Sequence, residues 1–172
     1  MSNTIDVVLV AFPNNPCRVA YFKRMLAGLR KHLTASQHTL RFVCSSESAV
    51  DKPEWWRGDE LRDICLAERI PLVWHEGPAS LGAGMNAALR ACNSDLIFLV
   101  QDDYELLEPL DLSPGAGVLI ANAEPVMIRY SFPPKEYGIV FSESPWYGFH
   151  KVSTKHAWCY GDDPHLRHRR MT

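Results

Sequence analysis

The residues with the clearest chemical potential are two adjacent carboxylates, Asp102 and Asp103, in the stretch FLVQDDYEL (98–106). They follow an apolar run, so they end a buried strand abruptly. Ionised carboxylates in such a place are costly unless something positive meets them. Hard divalent cations take oxygen ligands and bridge phosphates through one or two carboxylates. The pair therefore suits magnesium or manganese together with a nucleotide diphosphate, and taken alone it also suits a solvated acidic turn. A second stretch, LGAGMNAAL (81–89), puts Gly82 and Gly84 where a helix would begin. Glycine lets backbone approach closely and a helix amino terminus favours phosphate. Plain packing of a helix on a sheet would use the same small residues.

These groups need a frame that gathers them, and the first half of the chain supplies one. Residues 5–11 (IDVVLVA) form a continuous β-branched run of the kind found in buried parallel strands. FPNNP breaks it. Asn15 can cap a helix with Pro16 in its first position, running to about His32 with Phe22, Met25, Leu26, Leu29 and Leu33 on one face. Residues 40–44 read as a second strand followed by Ser45, Ser46 and Glu47. Asp59 can cap a helix at 60–69, residues 71–74 form a third strand, and Ser80 can cap a helix at 81–92. Residues 95–100 (DLIFLV) are a fourth, wholly apolar strand.

The order β-α-β-α-β-α-β implies parallel strands, right-handed crossovers and helices on both faces. Ligands of such sheets bind outside the carboxyl ends of the strands. That edge would collect Asn14, Asn15, Ser45, Glu47, Asp102 and Asp103. The second half is less regular: a turn and short helix over 113–125, a strand over 126–132, then loops with short strands over 133–172. The 172 residues fit one domain, divided near residue 110 into a regular α/β half and a less regular half.

Composition narrows the classes. Hydrophobic residues make up 47%, enough for a core, and 18 basic residues face 20 acidic ones. No basic field of the kind that holds nucleic acid is present. The one basic cluster, HLRHRR (165–170), reads as a solvated tail. Its His165 and His168 offer a metal or diphosphate ligand, or neither. The five cysteines are odd in number and form no CxxC, which speaks against a zinc ribbon or disulfide framework and for reduced thiols in a cytoplasmic protein. No run of about eighteen apolar residues predicts a transmembrane helix, and peripheral membrane contact stays open.

The stretch PASLGAGMNAALRACNSDLIFLVQDDYELLEP (78–109) resembles the central block of family-two glycosyltransferases. The opening strand with PNNP is similar to the start of that family, and the likeness covers about 5–109. It implies an α/β GT-A (Rossmann-like) fold, a three-layer sandwich on a mostly parallel sheet. It also implies transfer of a sugar from a nucleotide-diphosphate donor to a saccharide or other hydroxyl, with inversion and with Mn2+ or Mg2+ as cofactor. Carried over by position, Pro13 and Asn14 would line the base and ribose pocket. Glu47 stands near the acid that contacts uracil or ribose. Gly82 and Asn86 would lie against the donor, Asp102 matches the second acid of the metal motif, and Asp103 would support or share the metal. The family's general base is an acid in the second half, near an arginine. Here Gly161-Asp162-Asp163, ahead of Arg167, Arg169 and Arg170, matches best: Asp163 first, then Asp162, then Glu143. The same aspartates would also serve a turn before Pro164. Trp146, Tyr147, Phe149 and Trp158 could form a sugar platform or anchor loops, whereas Trp55 and Trp56 are expected to anchor their loop.

The chain departs from the family pattern in that the motif's first acid falls at Val100, Ala79 or Ser80 replaces the asparagine that opens the block, and Glu47 stands for an aspartate. A non-catalytic sugar- or nucleotide-binding module derived from a transferase therefore stays open. So does a dinucleotide-binding enzyme, since Gly82-Ala-Gly84-Met-Asn-Ala87 matches GxGxxA, although seven residues separate it from Trp74. A nucleotidyltransferase would carry a glycine-rich loop with a lysine near the first strand, where residues 12–18 read FPNNPCR.

Overall fold

A computed structural model describes residues 3–47, 54–75, 81–121, 127–130 and 164–168. In chain order the elements are β1 (Thr4–Ala11), α1 (Pro16–His32), β2 (Leu33–Thr34), β3 (Thr39–Glu47), α2 (Gly58–Ala67), β4 (Leu72–His75), α3 (Leu81–Ala91), β5 (Leu96–Gln101), β6 (Leu110–Asp111), α4 (Ser113–Ala121), β7 (Met127–Arg129) and β8 (His165–His168). The main sheet has the order β4-β3-β1-β5-β8-β7. Its first four strands run parallel, and β8 is antiparallel to both β5 and β7. The short strands β2 and β6 pair parallel beside it.

The apolar runs of β1 and β5 are buried end to end because both strands lie inside the sheet with helices on each face. Alternate residues divide between two cores. Ile5, Val7, Leu9, Phe98 and Val100 meet Phe22, Met25 and Leu29 of α1, Leu61 and Cys65 of α2, and Leu119 of α4. Val8, Val10, Ile97 and Leu99 meet Ala88, Leu89 and Cys92 at α3. The result is a three-layer sandwich, with α1, α2 and α4 on one face and α3 on the other, as the α/β reading expects.

Some boundaries move. Asn15 caps α1, its Oδ1 accepting from the Arg18 amide at 3.0 Å, with Pro16 in the first turn. Asp59 is not a cap: α2 starts at Gly58, and Asp59 lies in its first turn, paired with Arg62 at 2.8 Å. β3 runs through Ser45, Ser46 and Glu47, because the buried Ser45 hydroxyl donates to Gly84 O on α3 at 2.6 Å and so satisfies itself inside the sheet. A Cβ at Gly84 would lie 3.8 Å from Ser45 Oγ, an ordinary contact, so the close approach does not need glycine there. Trp56 packs on Trp74 with ring centroids 6.1 Å apart, while Trp55 is exposed. Ser80 lies outside the described residues.

The largest correction concerns the basic segment. Residues 165–168 are not a solvated tail but β8, inserted between β5 and β7. Leu166 is fully buried in the core opposite Phe98, and His165 is buried too. Burial holds the Arg167 guanidinium below its usual range. Pairing on both sides and the full burial of Leu166 with Phe98 and Ile128 outweigh the charge of the segment.

Among the described residues no helix is long and apolar enough to cross a membrane. Among the described residues Cys17, Cys44, Cys65 and Cys92 form no disulfide with one another, and all but Cys17 are buried.

Candidate functional site

The chain leaves β1 toward β3 and β4 on one side, then returns through α3 to β5 on the other. The carboxyl ends of β1 and β5 therefore flank the point where the winding reverses, the usual ligand crevice of open α/β sheets. Asp102 stands there. Its amide donates to Val10 O at 3.0 Å, extending the ladder one residue past β5. Its Oδ2 accepts from the Phe12 amide at 2.9 Å, which pins the turn after β1 to the turn after β5. Asn14 N–H donates to Phe12 O at 2.7 Å, and Pro13 O accepts from the Arg57 amide at 2.9 Å.

Asp102 is 1% exposed, yet its Oδ1 has no hydrogen bond among the described residues. Among the described residues its cationic partner is Arg18, whose Nη1 approaches Oδ1 at 3.3 Å and donates to Asp103 Oδ2 at 3.1 Å. Burial pushes the Asp102 carboxyl above the usual carboxylate range, and the neighbouring Asp103 charge adds to this. The Phe12 amide and the Arg18 charge work against it without cancelling it. Arg18 lies in the first turn of α1, where the helix dipole already points its positive end at the acids. No acidic side chain occupies that turn. The anionic counter-charge for the helix start is thus supplied from the end of β5, 84 residues on from Arg18.

A cleft of about 340 Å³ opens beside the pair, lined by Tyr21 and Arg24 of α1 and by Asp102, Asp103, Tyr104 and Glu105. The segment behind it is held by Gly28: a Cβ there would come within 2.7 Å of Leu106 O, so only glycine lets α1 lie this close to the chain after Asp103.

A cation site fits these residues in part. A buried carboxylate with an oxygen lacking a hydrogen bond, beside a half-exposed second carboxylate, matches a hard divalent ion that draws its other ligands from phosphate and water. Among the described residues, no group of three or more His, Cys, Asp or Glu side chains converges to hold a metal unaided. Val100 belongs to the core at 2% exposure, so the position of the first motif acid faces apolar side chains.

The other expected residues divide. Pro13 is buried and Asn14 exposed, both at the crevice mouth with Asp102 and Asp103. Glu47 ends β3 beside His75 of β4, directly opposite it in register. Alternation along β3 puts Glu47 on the α3 face with Ser45, two strands from Asp102. Among the described residues, its Oε2 and His75 Nε2 are buried without a hydrogen-bond partner. Gly82 lies in the first turn of α3 and Asn86 is exposed on that helix. Asp162, Asp163, Glu143, Trp146, Tyr147, Phe149 and Trp158 lie outside the described residues. Sequence reasoning missed Arg18 and His75. The signal for Arg18 was a cation in a helix first turn, where an acid is the favoured residue.

No protein-family model and no curated protein matches the sequence. Solved structures do match the fold. Over 99% of this chain and 48% of the other, S. aureus TarS (residues 1–349) superposes with a TM-score of 0.55 at 12% identity. A 4-diphosphocytidyl-2C-methyl-D-erythritol synthase from Anaerococcus prevotii gives a TM-score of 0.52 at 11% identity, over 98% and 72%. The mannosyltransferase PcManGT from Pyrobaculum calidifontis, in complex with GDP-Man and Mn2+, gives 0.50 at 14% identity, over 77% and 36%. The chain thus spans about half of the TarS chain and about a third of the mannosyltransferase chain. The shared architecture is that of the GT-A-type transferases.

Proposed function

We propose that the chain is a nucleotide-sugar-dependent glycosyltransferase, and that the crevice between the ends of β1 and β5 receives the donor diphosphate. The observation that carries this reading is Asp102: a carboxylate at the winding reversal of a GT-A-type sheet, almost wholly buried, with one oxygen left without a hydrogen bond among the described residues. A bound Mn2+ or Mg2+ would neutralise charge developing on the departing diphosphate. Asp102 and Asp103 would hold the ion, and the Phe12 amide fixes the Asp102 carboxylate in place beforehand. Pro13 and Asn14, at the end of β1, would border the nucleoside. Glu47, with His75 beside it, offers a buried oxygen, without a hydrogen-bond partner among the described residues, as an acceptor for a ribose hydroxyl or base N–H. Gly82 and Asn86 would approach the sugar from α3. In the reaction a base, Asp163 or its neighbour Asp162, takes the proton of the acceptor hydroxyl. The freed oxygen then bonds to the anomeric carbon while the bond to the diphosphate breaks, which inverts that centre. A cytoplasmic setting, with peripheral membrane contact where the acceptor is lipid-borne, belongs to the same proposal.

The fold likeness to the synthase favours one second reading, nucleotidyl transfer on the same crevice. Calorimetry with UDP, GDP and their sugar conjugates, with and without Mn2+, tests both. Metal-dependent binding of one nucleotide, lost in Asp102→Asn, is the expected result. Tight binding of a nucleoside triphosphate, with none of the sugar conjugates bound, would move the assignment to nucleotidyl transfer. Binding of NAD alone would overturn both.

A further inference from the structure

The acidic pair already has a cation, and it belongs to the protein. Arg18 Nη1 lies 3.1 Å from Asp103 Oδ2 and 3.3 Å from Asp102 Oδ1, so a single nitrogen bridges both carboxylates. The side chain is 24% exposed and its guanidinium lies 5.8 Å from the Phe12 ring centroid. Its hold is loose by the standard of this same molecule. Arg41 grips Asp6 with two nitrogens on two oxygens, Nε to Oδ1 at 2.6 Å and Nη2 to Oδ2 at 2.8 Å. Arg18 makes no hydrogen bond to Asp102, so Oδ1 has no hydrogen-bond partner among the described residues although it is almost wholly buried. A fork of fixed donors used through one nitrogen is easily exchanged for a better-fitting cation. Arg18 also sits in the first turn of α1, beside the open cleft, so its side chain can swing away without moving the helix.

We propose that Arg18 is the resident counter-ion of the acidic pair and is exchanged for a divalent cation when a diphosphate arrives. The two carboxylates pass from guanidinium to metal, and the released guanidinium, tethered at the positive end of α1, pairs with phosphate oxygens. No covalent bond changes in the exchange. It deepens the transferase reading and rests on it. Its consequence is coupling: metal alone must evict Arg18 without compensation, whereas metal and diphosphate together satisfy every charge. Each therefore binds better in the presence of the other, and Arg18 carries that coupling.

The test titrates Mn2+ and inorganic pyrophosphate, each alone and each in the presence of the other, and UDP- and GDP-sugars with Mn2+, into wild type, Arg18→Gln, Arg18→Lys and Asp102→Asn by calorimetry, with thermal melts as a check on folding. Arg18→Gln is expected to bind Mn2+ on the order of tenfold tighter, the effect of relieving one like charge a few ångströms away. The same variant is expected to bind pyrophosphate on the order of tenfold more weakly, and to lose the mutual enhancement between the two ligands. Arg18→Lys, which keeps the charge but not the bridge, should fall between. A purely structural arginine would shift both affinities in the same direction or neither, and either result overturns the exchange. Unchanged Mn2+ affinity in Arg18→Gln, with Mn2+ binding still abolished by Asp102→Asn, removes the exchange and leaves the transferase reading standing. Failure of every variant and of wild type to bind any nucleotide sugar removes both.

Discussion

Two aspartates in this sheet are buried to the same degree and opposed by the same kind of side chain, yet they serve different ends. Asp6, near the amino end of β1, is 0% exposed; Asp102, past the carboxyl end of β5, is 1% exposed. Asp6 is saturated. Arg41 gives it two charge-assisted bonds, and the amides of Asn93 and Ser94 both donate to Oδ2 at 2.9 Å. Burial alone would push its carboxyl up, but the Arg41 bonds, the Ser94 and Asn93 amides and the Arg41 charge together outweigh it and hold it below the ordinary range. Asp102 has one amide and one loose ion pair, and burial wins. The first carboxylate ties β1, β3 and the turn before β5 into one block. The second keeps unspent capacity at the edge where ligands bind. A buried charge is thus informative less by its presence than by how much of its hydrogen-bonding capacity the protein leaves unused.

The widest separation between them should appear in stability. Asp6→Ala strands a guanidinium that is only 39% exposed and orphans two amides, and is expected to cost about 3 kcal/mol, at the low end for a broken buried pair. Asp102→Asn keeps an acceptor for the Phe12 amide and removes a charge that burial disfavours, so it should change stability by less than about 1 kcal/mol while abolishing metal-dependent binding. Urea unfolding of both variants measures this. A loss of 2 kcal/mol or more in Asp102→Asn would make it a second structural carboxylate and erase the contrast.

The sequence carried these two residues very unequally. Asp102 was legible because it ends an unbroken apolar strand, and a charge is conspicuous there. Asp6 sits inside such a run and reads as an interruption, since its partners Arg41, Asn93 and Ser94 come together only when β3 and the turn before β5 are laid beside β1. The alternating α/β order, the Asn15–Pro16 helix start and the four parallel strands follow from local pattern. Arg18 and β8 do not. Arg18 gains its meaning from carboxylates 84 and 85 residues away. The segment from His165 looks like a charged tail until Leu166 is set opposite Phe98. Long-range pairing decides both, and periodicity does not register it.

Acid should sharpen the comparison by giving the two carboxylates opposite slopes. A carboxyl depressed in the folded state contributes stability that is fully present above its ordinary pKa of 3.8 and is lost as pH falls through the folded value. For Asp6 the loss therefore lies below 3.8. Asp102 is raised, so its ionised form costs stability near neutrality, and the cost is relieved as pH falls through its elevated pKa. Urea midpoints taken from neutrality down to about pH 3 should show a steep acid limb in wild type that flattens in Asp6→Asn. Any advantage of Asp102→Asn over wild type should shrink over the same descent. Parallel curves for wild type and Asp6→Asn would mean that Arg41 and the two amides leave Asp6 without net stabilisation.

The smallest effect is expected where the geometry is as good as anywhere in the molecule. Lys23 of α1 and Glu60 of α2 meet at 2.7 Å, closer than Arg18 and Asp102 and nearly as close as Arg41 and Asp6. Both side chains are about half exposed, at 54% and 44%. If N–O distance set the worth of a pair, Lys23–Glu60 should rival Asp6–Arg41. Water screens it on all sides, and ordering two long side chains costs entropy, so a double-mutant cycle with alanine at both positions should return a few tenths of a kcal/mol, falling further in high salt. A coupling above about 1 kcal/mol would mean that distance, and not burial of the carboxylate, governs the worth of a pair. A value of a few tenths leaves burial as the variable that raises Asp6 above the exposed pair, and leaves unused bonding capacity as the one that separates Asp102 from both.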